Sequence, residues 1–373
     1  GGLTHLIELV SLMDPKKNNF DKVIIWGNKH TLSHLKNAAW IVKISPKELE
    51  NGFFSRALWL RFKLTQSALD YNCDLLFIPG GSFFCSFKPI VTMSRNMLPF
   101  EWTEAKRYGF SLTTLRIIIL RWLQSKSFRK ANGVIFLTNY AQNLVTNVTG
   151  NLPGKKSIIS HGLNQRFLIK PKEQFKINQY SDNNPYQLLY VSIIDQYKHQ
   201  INVVDAVSTL RNKGYPVVLN LVGPSYPPAL KRLLKKINKV DKKKEYIRYF
   251  GSVPYKDLHN VYKESNLGIF ASSCENMPNI LIETMAAGLP IVCSNRGPMP
   301  EVLGRDGLYF DPEKPYEIMS ALETLINDPG LRYEKANASF LNVQKYSWSL
   351  CTNSTFNFLE NVSNEYKKSL CVE

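Results

Sequence analysis

At 373 residues the chain exceeds what one hydrophobic core usually organises, which points to two domains of ordinary size. With 44% hydrophobic and 21% charged residues it is a folded globular chain and not a disordered one. The apolar run Ile117-Ile-Ile-Leu120 is cut by Arg116 and Arg121, far short of the ~20 residues a spanning helix needs. The net charge of +17 would suit phosphate backbones, but no nucleic-acid recognition motif accompanies it, so a nucleic-acid partner is not expected.

The chain opens on Gly1-Gly2-Leu-Thr-His-Leu-Ile-Glu-Leu9, which reads as a loop and a first helix. Short apolar segments follow at 23–26, 75–78, 90–92, 134–137 and 157–159, as strands buried on both faces should be. Helical segments fall between most of them. A first doubly wound domain is therefore expected over 1–168. Asn, Asp and Pro crowd the following stretch, and 169–186 reads as a linker. A second alternation starts at 188–192, then runs through 217–222 before Gly223 and 246–250 before Gly251. It defines a second domain over 187–348, with 349–373 left as a terminal helix.

The most informative stretch is 267–309. Leu267-Gly-Ile-Phe-Ala271 predicts a buried strand, Ser272-Ser-Cys-Glu-Asn-Met277 a loop, and 278–287 a helix with Pro278 in its first turn. Gly288 stops that helix and Pro290 prevents its resumption. Because Ile291-Val-Cys293 resumes a strand, the unit is βαβ. Its loop lies at the carboxyl end of a parallel sheet, where open α/β folds bind ligands. Glu275 is thereby placed at a pocket lip, and Glu283 one and a half turns into the helix.

Residues Ser273-Cys-Glu-Asn-Met-Pro-Asn-Ile-Leu-Ile-Glu-Thr-Met-Ala-Ala-Gly-Leu-Pro290 closely resemble the donor-site signature of glycosyltransferase family 4. Asn295-Arg-Gly-Pro-Met-Pro-Glu-Val-Leu303 and Gly307-Leu-Tyr-Phe-Asp-Pro312 resemble the segments that come next in that family. The resemblance covers nearly all of 186–348 and, more loosely, the first half. It implies the GT-B fold: two Rossmann-like domains facing a central cleft, with a last helix, here 348–366, crossing back to the first domain.

The resemblance also implies roles. Glu275 would contact the transferred sugar near its reacting carbon, and Glu283 would hold the ribose hydroxyls. Lys198 matches the lysine that holds the diphosphate, and Ser192 lies at the end of the strand before it. Ile193 stands where the family carries an arginine, so Arg296 or the helix amino end is expected to compensate. Pro278 lacks an N–H, which leaves Met277, Asn279 and Ile280 as backbone donors. Val253, in Gly251-Ser-Val-Pro254, matches the position that pairs with the base.

In the first domain the family's opening strand runs into a glycine pair. Gly2 would be a donor-site glycine whose preceding strand is missing, with an unpaired sheet edge beside it; alternatively, Gly1-Gly2 are tag residues. Asn96 stands where many relatives carry a cleft histidine. Arg95 and Glu101 are weaker candidates, or only a local ion pair, and His161 reads as a structural residue near the hinge. Cys73, Cys85, Cys274, Cys293, Cys351 and Cys371 show no metal spacing and suit a reducing compartment. Neither a metal nor another cofactor is expected.

Charge is uneven: through Leu168 there are 22 Lys/Arg against 9 Asp/Glu, a balance of +13, which leaves +4 for the rest. Residues 112–130 set Leu115, Ile119, Trp122 and Leu123 beside Arg116, Arg121, Lys126, Arg129 and Lys130. Such a helix can lie on an anionic leaflet, or it can face the core with a solvated basic side. Together these features imply a retaining glycosyltransferase that moves a sugar from a nucleotide-diphosphate sugar to a saccharide acceptor. A lipid-linked acceptor, in O-antigen, capsule or lipopolysaccharide synthesis at the cytoplasmic face of the membrane, fits best. A non-catalytic sugar- or membrane-binding relative is the alternative, kept open by Ile193.

Overall fold

A computed structural model of the chain describes residues 2–371, the Phe53 side chain excepted. Gly1 therefore lies outside the described residues, and Gly2 opens a helix, Gly2–Leu12. The chain divides into two compact units. One comprises Gly1–Phe100, Leu112–Gly162 and Tyr346–Glu373, the other Glu101–Ser111 and Leu163–Lys345.

In the first unit, strands β1 (Val23–Trp26) and β2 (Ile41–Ile44) form a parallel pair with Val23 opposite Ile41. Strands β3 (Leu76–Ile78), β4 (Ile90–Met93), β5 (Gly133–Phe136) and β6 (Lys155–Ile158) form a separate parallel sheet in chain order. Strands β4 and β5 are buried throughout, which is why their apolar runs are continuous. Strand β2 is absent from the sequence-based expectation: it is short, half-buried throughout and interrupted by Lys43. Strand β6 starts two residues earlier than expected, because Lys155 and Lys156 pair with Gly133 and Val134.

The helix Leu112–Lys130 exposes more apolar surface than an ordinary surface helix. Its buried positions are Ile117, Gln124, Ser125, Ser127 and Phe128, while Leu112, Leu115, Ile118, Ile119 and Trp122 are exposed. The inward polar groups are used: Ser127 Oγ accepts from Phe83 N at 3.0 Å. The helix thus faces the core through Ile117 and Phe128 with a solvated basic side, but leaves Leu115, Ile119 and Trp122 exposed.

The last helix, Trp348–Leu370, groups with the first unit. Ser347 Oγ caps it by accepting from Leu350 N at 3.1 Å. Phe356 stacks on Phe20 at 5.0 Å, and Phe358 and Val362 are buried.

The second unit holds one parallel sheet of β7 (Tyr186–Val191), β8 (Val217–Val222), β9 (Ile247–Tyr249), β10 (Leu267–Phe270), β11 (Ile291–Ser294) and β12 (Leu308–Phe310). Their order is β12-β11-β10-β7-β8-β9. The chain runs outward from β7 to β9, returns to place β10 beside β7, and then runs outward on the other side. The strand order thus reverses between β7 and β10. Helix Gln200–Asn212 covers the sheet with Val203, Val204, Val207 and Leu210. Helix Pro227–Val240 buries Ala229, Leu233 and Ile237 at four-residue spacing, so its lysines face solvent.

Residues 169–186 are bound to this unit. Ile169 N donates to Ala286 O at 2.9 Å. The fully buried Arg332 donates to Leu325 O at 2.7 Å, to Phe175 O at 2.5 Å and to Gln174 Oε1 at 3.0 Å. Among the described residues no helix is long and apolar enough to cross a membrane.

Candidate active site

A reversal of strand order opens a crevice outside the carboxyl ends of the two strands that flank it. Here those strands are β7 and β10, and their exit loops carry Lys198 and Glu275. The two side chains form an ion pair. Lys198 keeps 8% of its side-chain surface and Glu275 17%, so the pair is largely desolvated yet open at the carboxylate. The ammonium lies 4.9 Å from the Tyr197 ring centroid and 5.7 Å from that of Phe270, and Tyr190 donates its hydroxyl to the Lys198 carbonyl at 2.7 Å.

The loop after β7 is tightly held. Ser192 Oγ accepts from Gln200 Nε2 at 2.8 Å, and the same amide donates to the Ile193 carbonyl at 2.9 Å. Gly223, with φ +143°, closes on this turn. A Cβ there would sit 2.1 Å from the Ser192 carbonyl oxygen, so only glycine fits.

The helix after β10 spans Asn279–Ala286, with Pro278 as its N-cap and not its first residue. The Pro278 dihedrals, φ −80° and ψ 76°, are those of an inverse γ-turn. Asn279 N accordingly donates to Met277 O at 2.9 Å. This corrects the expectation that Asn279 offers its N–H to a donor. Ile280 lies in the first turn, and Met277 is buried.

Glu283 is buried in this helix, and burial pushes its carboxyl up to about 7 against hydrogen bonds from Tyr255 and Tyr262. The Tyr262 hydroxyl lies 3.4 Å from Oε2. Gly288 ends the segment with φ +63°, where a Cβ would meet Ile169 O at 2.6 Å. Val253 sits half-buried in the loop leaving β9. Arg296 follows β11, but Asp311 holds its guanidinium at 3.0 Å. It is a paired cation.

The remaining candidates lie elsewhere. In the first unit, a Cβ on Gly2 would stand 3.4 Å from Arg95 Nη1. Asn96 is exposed just past β4, and its Oδ1 accepts from Leu98 N at 3.1 Å. His161 is buried between His5, at 4.8 Å, and Trp348, at 5.7 Å between ring centroids. Burial, then His161 and Arg95, hold His5 far below the usual imidazole range, at about 2. Glu101 falls in the second unit, where burial and Glu104 raise its carboxyl to about 7. Sequence reasoning missed Glu104, His199, Ser273 and Tyr197. The available signal was the Glu104 and Arg107 spacing of three residues, which places the two on one helix face.

Among the described residues no group of His, Cys, Asp or Glu is arranged to hold a metal ion, and all six cysteines are free. Residues 171–339, nearly the whole second unit, match the model for glycosyl transferases group 1. The matched stretch lies wholly within that unit. The chain is also similar to the O-antigen chain mannosyltransferase B of Escherichia coli, 32% identical over 112 residues, 30% of this chain and 29% of that enzyme. The aligned stretch is thus under a third of that relative's length.

Structural similarity extends over both units. Sucrose-phosphate synthase from Thermosynechococcus elongatus has a TM-score of 0.74 at 14% identity, covering 100% of this chain and 94% of that one. Anabaena HepE, solved with UDP and glucose, has a TM-score of 0.68 at 17% identity, covering 96% and 95%. The fold is GT-B.

Proposed function

We propose that this protein is a glycosyltransferase that moves a hexosyl group from a nucleotide-diphosphate sugar to a saccharide acceptor, with retention of anomeric configuration. The observation that carries the reading is the Lys198–Glu275 pair at the switch point of the second sheet. As the anomeric carbon loses its phosphate, positive charge develops on the sugar ring and negative charge on the leaving oxygen. A carboxylate and an ammonium side by side complement both halves of that separation. In the proposed step the acceptor hydroxyl oxygen bonds to the anomeric carbon and the carbon–oxygen bond to the diphosphate breaks. The bonding pair leaves with the nucleoside diphosphate, which takes up the hydroxyl proton.

Glu283 is assigned to the ribose hydroxyls, Val253 to the base, and Ser192, Met277 and Ile280 to the donor's diphosphate and sugar. Gly2 is assigned to donor binding and Asn96 to a sugar contact. The similarity to an O-antigen mannosyltransferase supports a surface-polysaccharide role. The exposed stripe Leu112, Leu115, Ile119 and Trp122, flanked by the exposed Arg116 and Lys126, supports a lipid-linked acceptor met at an anionic membrane surface on the cytoplasmic side. No metal is assigned to the reaction.

The alternative, a non-catalytic binding relative, is favoured by Ile193 alone, since Arg296 is already paired with Asp311. Thermal unfolding with a panel of nucleotide-diphosphate sugars tests the reading. One donor should raise the midpoint in a concentration-dependent way, and no shift with any donor would count against it.

A further inference from the structure

The segment Glu101–Ser111 interrupts the first unit in sequence yet groups with the second. Its polar side chains reach the two loops that carry Lys198 and Glu275. Glu104, itself buried, accepts from Ser273 Oγ at 2.7 Å and from Arg107 Nε at 2.6 Å and Nη2 at 3.2 Å. Ser273 Oγ lies 2.9 Å from His199 Nε2, with Tyr197 O further off at 3.2 Å. A serine hydroxyl has one proton, and Ser273 gives it to the carboxylate, so His199 Nε2 is the donor in its contact. Burial, then Arg107, lower the His199 pKa to about 4, which keeps a neutral imidazole in that role.

The direction of donation is therefore His199 to Ser273 to Glu104, with Arg107 balancing the charge and itself paired with Glu313. A second strand of contacts runs parallel to it. Tyr108 donates to Asp195 Oδ1 at 2.9 Å, the oxygen that also accepts from Gln196 N at 2.7 Å. Ser273 N donates to Tyr197 O at 2.8 Å, stitching one loop to the other.

These contacts sit beside the reacting groups in the chain. His199 follows Lys198 directly and holds a left-handed backbone, φ +50°, a conformation that persists in a non-glycine residue only where its surroundings impose it. Ser273 precedes Glu275 by two residues. We infer that Glu104, acting through Ser273 and His199, is a positioning group that fixes the register of the Lys198–Glu275 pair, and that Glu101–Ser111 is a strap over the donor loops. The inference rests on the assignment of that pair to the donor site.

The test has two arms. In the first, amide hydrogen exchange is followed in peptides spanning 194–200 and 271–277 for wild type, Ser273→Ala, Glu104→Gln and Glu104→Ala. Ser273→Ala deletes one oxygen and so remains informative if Glu104→Ala fails to fold. Loss of a buried charged hydrogen bond should speed exchange in both loops by about tenfold or more, leaving the amides of β8 unchanged. Glu104→Gln, whose amide oxygen can still accept from Ser273, should fall between wild type and Glu104→Ala.

In the second arm, steady-state transfer should show kcat lowered by about tenfold with donor KM altered far less. Loops that exchange as in wild type in the folded Ser273→Ala protein would overturn the strap. Wild-type kcat in both Ser273→Ala and Glu104→Ala would overturn it too. A wild-type protein that transfers nothing would instead sink the assignment of the site, while the exchange arm would still decide whether the strap holds the loops.

Discussion

Lys198 and Glu275 meet across the carboxyl ends of adjacent parallel strands, β7 and β10, as an ion pair in which neither side chain exposes more than 17% of its surface. The two residues are 77 positions apart, so the contact is a product of the strand reversal and not of local sequence. Removing one member of a buried pair leaves the other charge uncompensated, which costs about 3–5 kcal/mol where desolvation is complete. Lys198→Ala and Glu275→Ala should each lower the unfolding midpoint, and the Lys198→Met/Glu275→Gln double variant should recover much of the loss. Because the pair also complements the transition state, that double variant should stay inactive, with kcat down by about 10²–10³-fold. Denaturation and turnover measured on the same three proteins check both halves.

Glu283 predicts a pH signature. Its folded-state pKa, about 7, is raised above the ordinary 4.5, so the protonated form favours the native state. That contribution is complete below about pH 4.5 and is lost as pH rises through about 7. Stability of the second unit should fall over that window by roughly 3 kcal/mol, an order-of-magnitude figure. Glu283→Gln should flatten the profile. Urea unfolding at pH 5 and pH 8 gives the comparison, and an equal slope in both proteins would refute the assignment.

Donor affinity should respond to the same residue. A ribose hydroxyl donates best to an ionised carboxylate, so Glu283→Ala should weaken nucleoside-diphosphate binding by roughly 1.5–3 kcal/mol. Calorimetric titration reads this directly, and an unchanged Kd would move the ribose contact elsewhere.

Much of the second unit was legible in the sequence because its signals are local. The apolar run at Leu267–Phe270, the stop at Gly288 and the restart at Ile291 each follow from one residue's neighbours. What escaped is short or non-local. Strand β2 is only four residues long and Lys43 cuts its apolar run. The Glu104–Ser273 hydrogen bond joins residues 169 positions apart, and nothing in Glu101–Ser111 announces that it packs with the second unit. The Pro278 γ-turn also escaped, since a proline before a helix suggests N1 on statistics alone.

The exposed apolar stripe of helix Leu112–Lys130 makes a prediction about surfaces. An apolar stripe bordered by cations should bind vesicles containing anionic lipid and release them as salt rises, since exposed attraction is screened beyond about 8 Å at physiological ionic strength. Leu115→Ser with Trp122→Ser should weaken binding at every salt concentration. Arg116→Gln with Lys126→Gln should weaken it mainly at low salt. Arg129 is left unchanged in this test, because its guanidinium donates to the Thr149 carbonyl at 2.8 Å. Co-sedimentation with neutral and anionic vesicles separates the two effects, and equal recovery with both would remove the membrane from the account.

The most direct test of the central claim is release of nucleoside diphosphate from a panel of uridine- and guanosine-diphosphate hexoses, followed in wild type, Lys198→Ala and Glu275→Ala. The account predicts turnover with one donor, dependence on a saccharide acceptor, and loss of about 10²-fold or more in each variant while both still bind the nucleoside diphosphate. Release by either variant at the wild-type rate, or no release from any donor by the wild-type protein, would contradict it.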